Sequence, residues 1–302
     1  MSESNIRIKV YGVRGSYPPS KGFPSKIGMN TTCLRVDIGN NVIIMDAGTG
    51  IINLGNDLFA EIQKGESHQD LWKLHLFFTH THIDHLMGFP YFMMNYLPKT
   101  EMHIFDPHIL TYKIENILDF LMSPALFPVT LEELPSSRHF YQMRESKVVY
   151  FYESDFLLTS AANPDVPPNW QGKISALRHY THPKGGSYVY KFESPNGKSI
   201  VFATDVEEFA GGDQRLRKFS RDAEVLIHDA QYSLKEYEMF QGFGHSTYEM
   251  ACNTAKAAGI KKLILFHHDP SHTDESLMEL ETAAQKIFPK TYMATEEMEF
   301  RI

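Results

Sequence analysis

The 302-residue sequence has few cysteines, no long apolar run and no excess of basic residues. Its two cysteines, Cys33 and Cys252, lie far apart in the chain, which argues against a disulfide framework and favours reduced thiols. No apolar run reaches the roughly 18 residues needed to span a membrane. The first five residues lack the basic and apolar regions of a signal peptide. These absences predict a cytoplasmic protein without a membrane segment.

The charge balance narrows the classes of partner. The formal net charge is -8 at pH 7, from 29 basic and 37 acidic residues. A general nucleic-acid coat needs basic surface to displace counterions from phosphates, so this class is disfavoured. Small phosphorylated substrates stay compatible, because metal ions can supply local positive charge. The length allows one large domain, and we predict a single domain over residues 1–302.

Histidine is abundant, with 15 in the chain, and four candidate metal-binding residues fall within one short stretch. His80, His82, Asp84 and His85 follow an apolar run at residues 74–78 that we interpret as a buried strand. The i, i+2 spacing of His80 and His82 puts both side chains on one face of an extended segment. Imidazole nitrogen and carboxylate oxygen bind zinc, manganese or iron. Because a turn can direct Asp84 and His85 at a neighbouring point, the stretch favours two adjacent ions over one.

Further strands are predicted to end in histidine or aspartate. These ends are His182, Asp205, His228–Asp229 and His267. Side chains at strand ends and in the loops beyond them gather at one edge of a sheet, where sites are built. The sequence therefore predicts a single site assembled from distant segments. His267 and His268 point to opposite faces of an extended strand, so only one of them is expected to reach it.

The pattern His80-x-His82-x-Asp84-His85, followed by His182, Asp205 and His267, resembles the metallo-β-lactamase superfamily. The resemblance covers the chain from residue 6 to its end. It implies an α/β (α+β) fold, an αββα sandwich of two mixed β-sheets flanked by helices. The stretches 12–16, 30–33, 244–247 and 266–270 resemble a phosphodiesterase-type branch of the superfamily. Ribonuclease Z and the cyclic phosphodiesterase of phosphonate breakdown are relatives in that branch.

This resemblance implies a role for each residue of the pattern. One divalent ion would be held by His80, His82 and His182, the second by Asp84, His85 and His267, with Asp205 bridging the two. The family register favours His267 over His268. Zinc is the expected metal, and manganese or iron are alternatives that this ligand set does not separate.

The same resemblance implies the acid–base residues. His245 begins a His-Ser-Thr motif before a helix, for which we predict a capping box from Ser246 to Glu249. It would act as general acid for the leaving alcohol, with Asp229 orienting its imidazole. Asp84 is counted with these catalytic residues as well as with the metal ligands. Arg14, Ser16 and Lys184 are candidates for binding phosphate, although exposed charges and loop hydroxyls usually have no such role.

The expected reaction is hydrolysis of small or cyclic phosphodiesters by a metal-bridging hydroxide. The interval from His182 to Asp205 is too short for the long arm with which ribonuclease Z grips transfer RNA, so transfer RNA is disfavoured as a substrate. Two alternatives stay open, a thioester or ester hydrolase of glyoxalase type and an iron-containing redox metalloprotein. Residues 122–146 are irregular and rich in bulky apolar side chains, which predicts a lid or insertion over the site, or a face for a second copy in a homo-oligomer.

Overall fold

Two mixed β-sheets dominate the computed structural model, which describes residues 6–20, 25–65, 69–107, 109, 112–209 and 211–302. The first sheet is formed by β1 (Ile6–Gly12), β2 (Cys33–Ile38), β3 (Asn41–Met45), β4 (Lys73–Phe77), β5 (Glu101–Asp106), β6 (Ser137–Gln142) and β15 (Glu299–Arg301). The second is formed by β7 (Lys147–Tyr152), β8 (Asp155–Ser160), β9 (Gly172–His179), β10 (Ser187–Glu193), β11 (Ser199–Ala203), β12 (Val225–Asp229), β13 (Lys262–Phe266) and β14 (Thr291–Met293).

Helices flank both sheets. They are α1 (Gly50–Lys64), α2 (Ile114–Leu121), α3 (Gln214–Phe219), α4 (Leu234–Phe240), α5 (Tyr248–Ala258) and α6 (Asp274–Ile287). None of the helices in the described part of the chain is long and apolar enough to cross a membrane. The order of strands and helices confirms the predicted αββα sandwich of two mixed sheets.

Strand β4 is buried on both faces and anchors the histidine stretch that follows it. Leu74 and Leu76 belong to the apolar cluster that α1 covers, together with Leu54 of that helix. Phe77 points to the core between the sheets, where its ring stacks on Phe105 with centroids 4.0 Å apart. Each fully buried side chain of this size contributes about 1.5–3 kcal/mol relative to exposure. This burial fixes the end of β4 and therefore the start of the histidine stretch that follows it.

Residues 122–146, for which we predict a lid or insertion, lie partly in the first sheet and its apolar cover. Ser137–Gln142 form β6, an edge strand that pairs in parallel with β5. Leu131 and Leu134 are buried in the cluster that covers the outer face of the first sheet. This part of the segment is thus built into the sheet and its cover. The sequence gives little sign of this strand because an edge strand buries little, and all residues of β6 are exposed or half-buried.

Candidate metal centre and active site

The predicted site residues come together where several strands end. Strands β11, β12 and β13 run parallel, so their carboxyl ends lie at one edge of the second sheet. Asp205 follows β11, Asp229 ends β12 and His267 follows β13. His182 follows β9, and the stretch that begins at His80 follows β4 of the first sheet. The site therefore lies at the shared edge of the two sheets.

The first group of candidate ligands consists of His80, His82 and His182, whose ligand atoms lie within 4.8 Å of one another. The Nε2 atom of His182 lies 2.8 Å from Nδ1 of His82. The Nε2 atoms of His80 and His182 are each 3.6 Å from Oδ1 of Asp205. Three imidazoles thus converge with one oxygen of a buried carboxylate.

The second group consists of Asp84, His85, Asp205 and His267, all of them buried. Oδ2 of Asp205 lies 3.2 Å from Nε2 of His85 and 3.4 Å from Nε2 of His267. Oδ2 of Asp84 lies 3.5 Å and 3.4 Å from the same two nitrogens. Ligands that hold zinc tetrahedrally at about 2.0–2.1 Å lie about 3.3 Å apart. These separations suit such an ion, and Asp205 presents one oxygen to each group.

The hydrogen bonding of the histidines fits metal binding. Nε2 of His80, His85 and His267 is buried without a hydrogen-bond partner, a state that costs about 1–3 kcal/mol for an ordinary polar group. The opposite nitrogen, Nδ1, is engaged in each case by an oxygen: Asp46 Oδ2 for His85 at 2.9 Å, Gln231 Oε1 for His267 at 2.9 Å and Thr79 Oγ1 for His80 at 3.2 Å. Metal-binding histidines typically have such a partner on the second nitrogen. The donor set therefore fits two divalent ions.

The pKa shifts of the site residues also favour metal binding. Burial lowers the pKa of His80 well below its usual value and that of His182 to about 4, which keeps both as the neutral imidazoles that metals require. Burial opposes the charge of Asp205, but His267 and His85 outweigh it and hold the pKa of this carboxyl well below its usual range. Burial also opposes the charge of His85, yet Asp205 and Asp84 raise its pKa. A bound ion would replace that proton.

Three of these residues turn the chain sharply at a strand end. Asp46, Asp205 and His267 have positive φ values of 60°, 55° and 63°. This left-handed conformation is uncommon outside glycine and is best tolerated by Asn, Asp and His. Backbone strain of this kind clusters at functional sites. The residue types at these positions therefore serve both the turn and the site.

Asp46 is a site residue that the sequence analysis missed. Its carboxylate accepts hydrogen bonds from the Thr79 backbone N–H at 2.7 Å and the Thr79 hydroxyl at 2.8 Å, and contacts His85 Nδ1. Burial raises the pKa of Asp46 above its usual value. Asp46 thereby orients His85 and the start of the histidine stretch. The available signal was that an aspartate directly follows another strand, β3.

His245 lies between the two groups and is paired with Asp229. Its Nδ1 is 2.7 Å from Oδ2 of Asp229, and its ring centroid lies 5.1 Å from that of His182 and 4.9 Å from that of His267. Burial lowers the pKa of His245, but the Asp229 carboxylate, together with Asp205 and Asp84, outweighs this and raises it to about 9. Asp229 also accepts from the Asp205 backbone N–H at 3.0 Å, so one buried carboxylate holds the candidate acid and the candidate bridge.

The helix after His245 begins one residue later than predicted. The N-cap of α5 is Thr247, whose hydroxyl accepts from the Met250 N–H. Ser246 is unavailable as a cap because its hydroxyl donates to the Val206 carbonyl at 2.6 Å. That bond ties Ser246, the residue next to His245, to the segment that follows β11. The bond therefore helps to position the candidate acid and leaves the capping role to Thr247.

Glu207 is a second missed residue, and it fixes the loop before His245. Its buried carboxylate accepts from the Tyr237 hydroxyl at 2.8 Å and from the backbone N–H groups of Gly242 and Gly244 at 2.7 Å and 2.8 Å. The Gly244 carbonyl in turn accepts from Nδ1 of His182 at 3.0 Å, which directs Nε2 of His182 into the site. Gly244 has a φ of +93°, and a Cβ there would lie 2.3 Å from the His182 ring.

Other sequence candidates have structural contacts instead. His268 directs Nε2 at the Ala294 carbonyl, 2.9 Å away, so His267 is the one of the pair that faces the site. Arg14 is buried and donates to the carbonyls of Gly28 and His272. Ser16 contacts the site through its backbone N–H, which donates to Asp84 Oδ2 at 2.8 Å.

A groove of about 410 Å³ opens beside the first group. His80, His82, Pro183 and Lys184 contribute to its lining. Lys184 brings a positive charge to this wall, which suits an anionic substrate.

Residues 41–268 match the family model described as a β-lactamase superfamily domain. The chain belongs to this superfamily, and it is a metal-dependent hydrolase of that class. The superfamily fold implies a dinuclear divalent metal site, and the required His and Asp groups are present.

Relatives and solved structures are similar to the chain over almost its whole length. Ribonuclease Z of Thermoplasma acidophilum is 27% identical over 336 aligned positions, which cover 99% of this chain and 97% of that protein. The metallo-β-lactamase fold protein YhfI from Bacillus subtilis has a TM-score of 0.66 at 16% identity, covering 99% of this chain and all of its own. A diphosphatase from the PhnP family has a TM-score of 0.64 at 12% identity, covering 98% of each chain.

These similarities correct one expectation. The chain matches ribonuclease Z from end to end at 27% identity, so the prediction that transfer RNA is disfavoured is not supported. The short interval between His182 and Asp205 excludes an RNA-gripping arm at that position only. It does not exclude transfer RNA as a substrate.

Proposed function

We propose that this protein hydrolyses phosphodiesters at a centre of two divalent metal ions. The observation that carries the proposal is Asp205, which presents Oδ1 to one group of histidines and Oδ2 to the other. His80, His82 and His182 would hold one ion, Asp84, His85 and His267 would hold the other, and Asp205 would contact both. When bound, such ions supply positive charge for phosphoryl oxygens and an activated water as nucleophile. Zinc is the proposed metal, with manganese and iron as alternatives.

His245 is the proposed general acid. Asp229 engages Nδ1 of His245, which leaves Nε2 to carry a proton toward the leaving alcohol. The raised pKa of His245 keeps that proton in place at neutral pH. Asp229 is therefore a positioning residue that also stabilises the imidazolium.

Small or cyclic phosphodiesters are the proposed substrates, and the groove of about 410 Å³ beside the first group has room for them. A second candidate is the processing of transfer RNA precursors, favoured by the end-to-end similarity to ribonuclease Z. A screen with a chromogenic phosphodiester, cyclic nucleotides, a 3′-extended transfer RNA and a thioester separates these activities. We expect turnover of the diesters. Turnover of the thioester alone would instead support a glyoxalase-type hydrolase, and redox-active iron without hydrolysis of any ester would support a redox protein.

Replacing Glu207 by Gln should weaken metal binding and turnover together. The substitution puts an NH2 group where the carboxylate accepts from backbone N–H groups, and so loosens the carbonyl that orients His182. Loss of such outer contacts typically costs about 10–100-fold in metal affinity or activity, and we expect about tenfold. The measurements are metal affinity, by competition with a chelating dye, and kcat for the chromogenic diester.

Glu208 offers a matched control for this prediction. It is equally buried, but its carboxylate accepts from the Thr254 hydroxyl at 2.6 Å and the Asp213 N–H at 3.1 Å, away from the candidate ligands. Glu208→Gln should lower thermal stability and leave metal affinity unchanged. Equal losses of metal affinity in both variants would show that Glu207 acts only on overall stability.

A further inference from the structure

The segment between β12 and α5 carries a helix with no buried side chain. None of the residues of α4 is buried. Met239 is 66% exposed, Phe243 59% and Phe240 37%. Single exposed apolar side chains are ordinary on a protein surface. Here, however, the rings of Phe240 and Phe243 lie in contact, with centroids 5.8 Å apart, on the segment that leads directly to His245.

A row of aromatic rings connects this segment to the candidate acid. The edge of the Tyr232 ring meets His245 with centroids 5.8 Å apart. Phe240 stacks on Tyr232 at 5.3 Å with an interplanar angle of 27°, and Phe243 meets Phe240 edge-on. Tyr232 is buried, so it serves as the support. The exposed ring of Phe240 is therefore connected to His245 through one intervening ring, that of Tyr232.

The segment is held in place from several sides. The Tyr237 hydroxyl and the Gly242 N–H both donate to the buried carboxylate of Glu207. Glu236 pairs with Nε2 of His272 at 2.8 Å. The rings are thus positioned before any ligand arrives, and such preorganisation lowers the entropic cost of binding.

We propose that Phe240 and Phe243 form a stacking subsite for a planar aromatic ring carried by the leaving alcohol of the substrate. The proposal rests on the proposed function, in which His245 is the acid for that alcohol. The row of rings begins at His245. An aryl alcohol and a nucleoside both present such a ring. Base stacking on aromatic side chains is tolerant of the identity of the base, since every base has a π face.

The test compares ligands that differ only in the ring. Methylphosphonate monoesters imitate a diester with one defined leaving alcohol, so we would measure the Kd of phenyl against cyclohexyl methylphosphonate, and of adenosine 5′- against ribose 5-methylphosphonate. Calorimetry on the metal-loaded protein gives each Kd. We expect the aromatic member of at least one pair to bind at least about fivefold tighter. The pair that shows the larger ratio identifies an aryl group or a nucleobase as the natural ring.

The double variant F240L/F243L keeps apolar side chains but removes the planar faces, and should reduce the ratio to within about twofold of unity. F243L alone should reduce it partly. The matched control is F120L, which replaces a 70% exposed phenylalanine of α2 and should leave the ratio unchanged.

Equal binding within both pairs, or an unchanged ratio in F240L/F243L, would overturn the subsite. The oligomeric state of the wild type and the double variant is measured by sedimentation. A dimer that is lost in the variant, with no change in the Kd ratio, would show that this surface is a contact between copies of the chain. Failure of diester hydrolysis would count against the proposed function alone, since the Kd ratios do not depend on turnover.

Discussion

Asp205→Asn should lower the bound metal from close to two ions per chain to one or fewer and reduce kcat by roughly a thousandfold. Asparagine tolerates the positive φ of this position, so the turn is kept while the negative charge and one bridging oxygen are lost. Two-metal sites contribute several kcal/mol of transition-state stabilisation, and each 1.36 kcal/mol corresponds to about tenfold in rate. The measurements are metal content by elemental analysis and kcat with the chromogenic diester.

Asp37→Asn is the control for the loss of a buried aspartate. Asp37 is 5% exposed and accepts from Arg35 at 2.8 Å in the first sheet. This variant should lose stability but retain both ions and most activity. If Asp205→Asn also retains two ions and normal turnover, Asp205 is not the bridge.

His245→Ala should reduce kcat by about 10²–10⁴-fold, the range typical of general acid catalysis, while the metal content stays unchanged. The loss should be largest for alkyl leaving groups, which need a proton to depart, and smallest for p-nitrophenol. His245 belongs to neither of the two proposed ligand sets and packs against His182 and His267 ring to ring, so we expect its removal to leave both sets in place. An equal loss for alkyl and nitrophenyl leaving groups would exclude the acid role.

Asp229→Asn should move the alkaline limb of the pH–rate profile to lower pH. The Asp229 carboxylate is the largest of the contributions that raise the pKa of His245 against the effect of burial, and activity falls as pH rises through that pKa because the proton is lost. With Asn the imidazole gives up its proton at lower pH, so the limb shifts downward. Bound ions act on His245 in both proteins, so the comparison isolates Asp229. An unshifted limb would show that another group controls it.

The candidate ligands could be predicted from the sequence because each one carries its own signal. The i, i+2 spacing of His80 and His82 reflects the period of two in an extended chain, and Asp84 and His85 follow in a short 3-10 turn. Asp205 and His267 follow apolar strands, and their order along the chain matches the superfamily. The structure brings all of them together at one edge of the sandwich.

The groups that orient the ligands could not be predicted in this way. Asp46 follows β3 and contacts His85 beyond the neighbouring strand β4, and Glu207 acts through a backbone carbonyl of a distant loop. Such contacts depend on tertiary structure and leave no spacing pattern in the sequence. The same holds for the cap of α5, where the tertiary bond of Ser246 to Val206 overrides the local preference.

Elemental analysis of protein purified without chelator is the most direct test of the central claim, that His and Asp groups joined by Asp205 hold two metal ions for phosphodiester hydrolysis. We expect close to two divalent ions per chain, a clear loss in His82→Ala, and diester turnover that falls with the metal content. Less than one ion per chain, with His82→Ala unchanged in metal content, would contradict it.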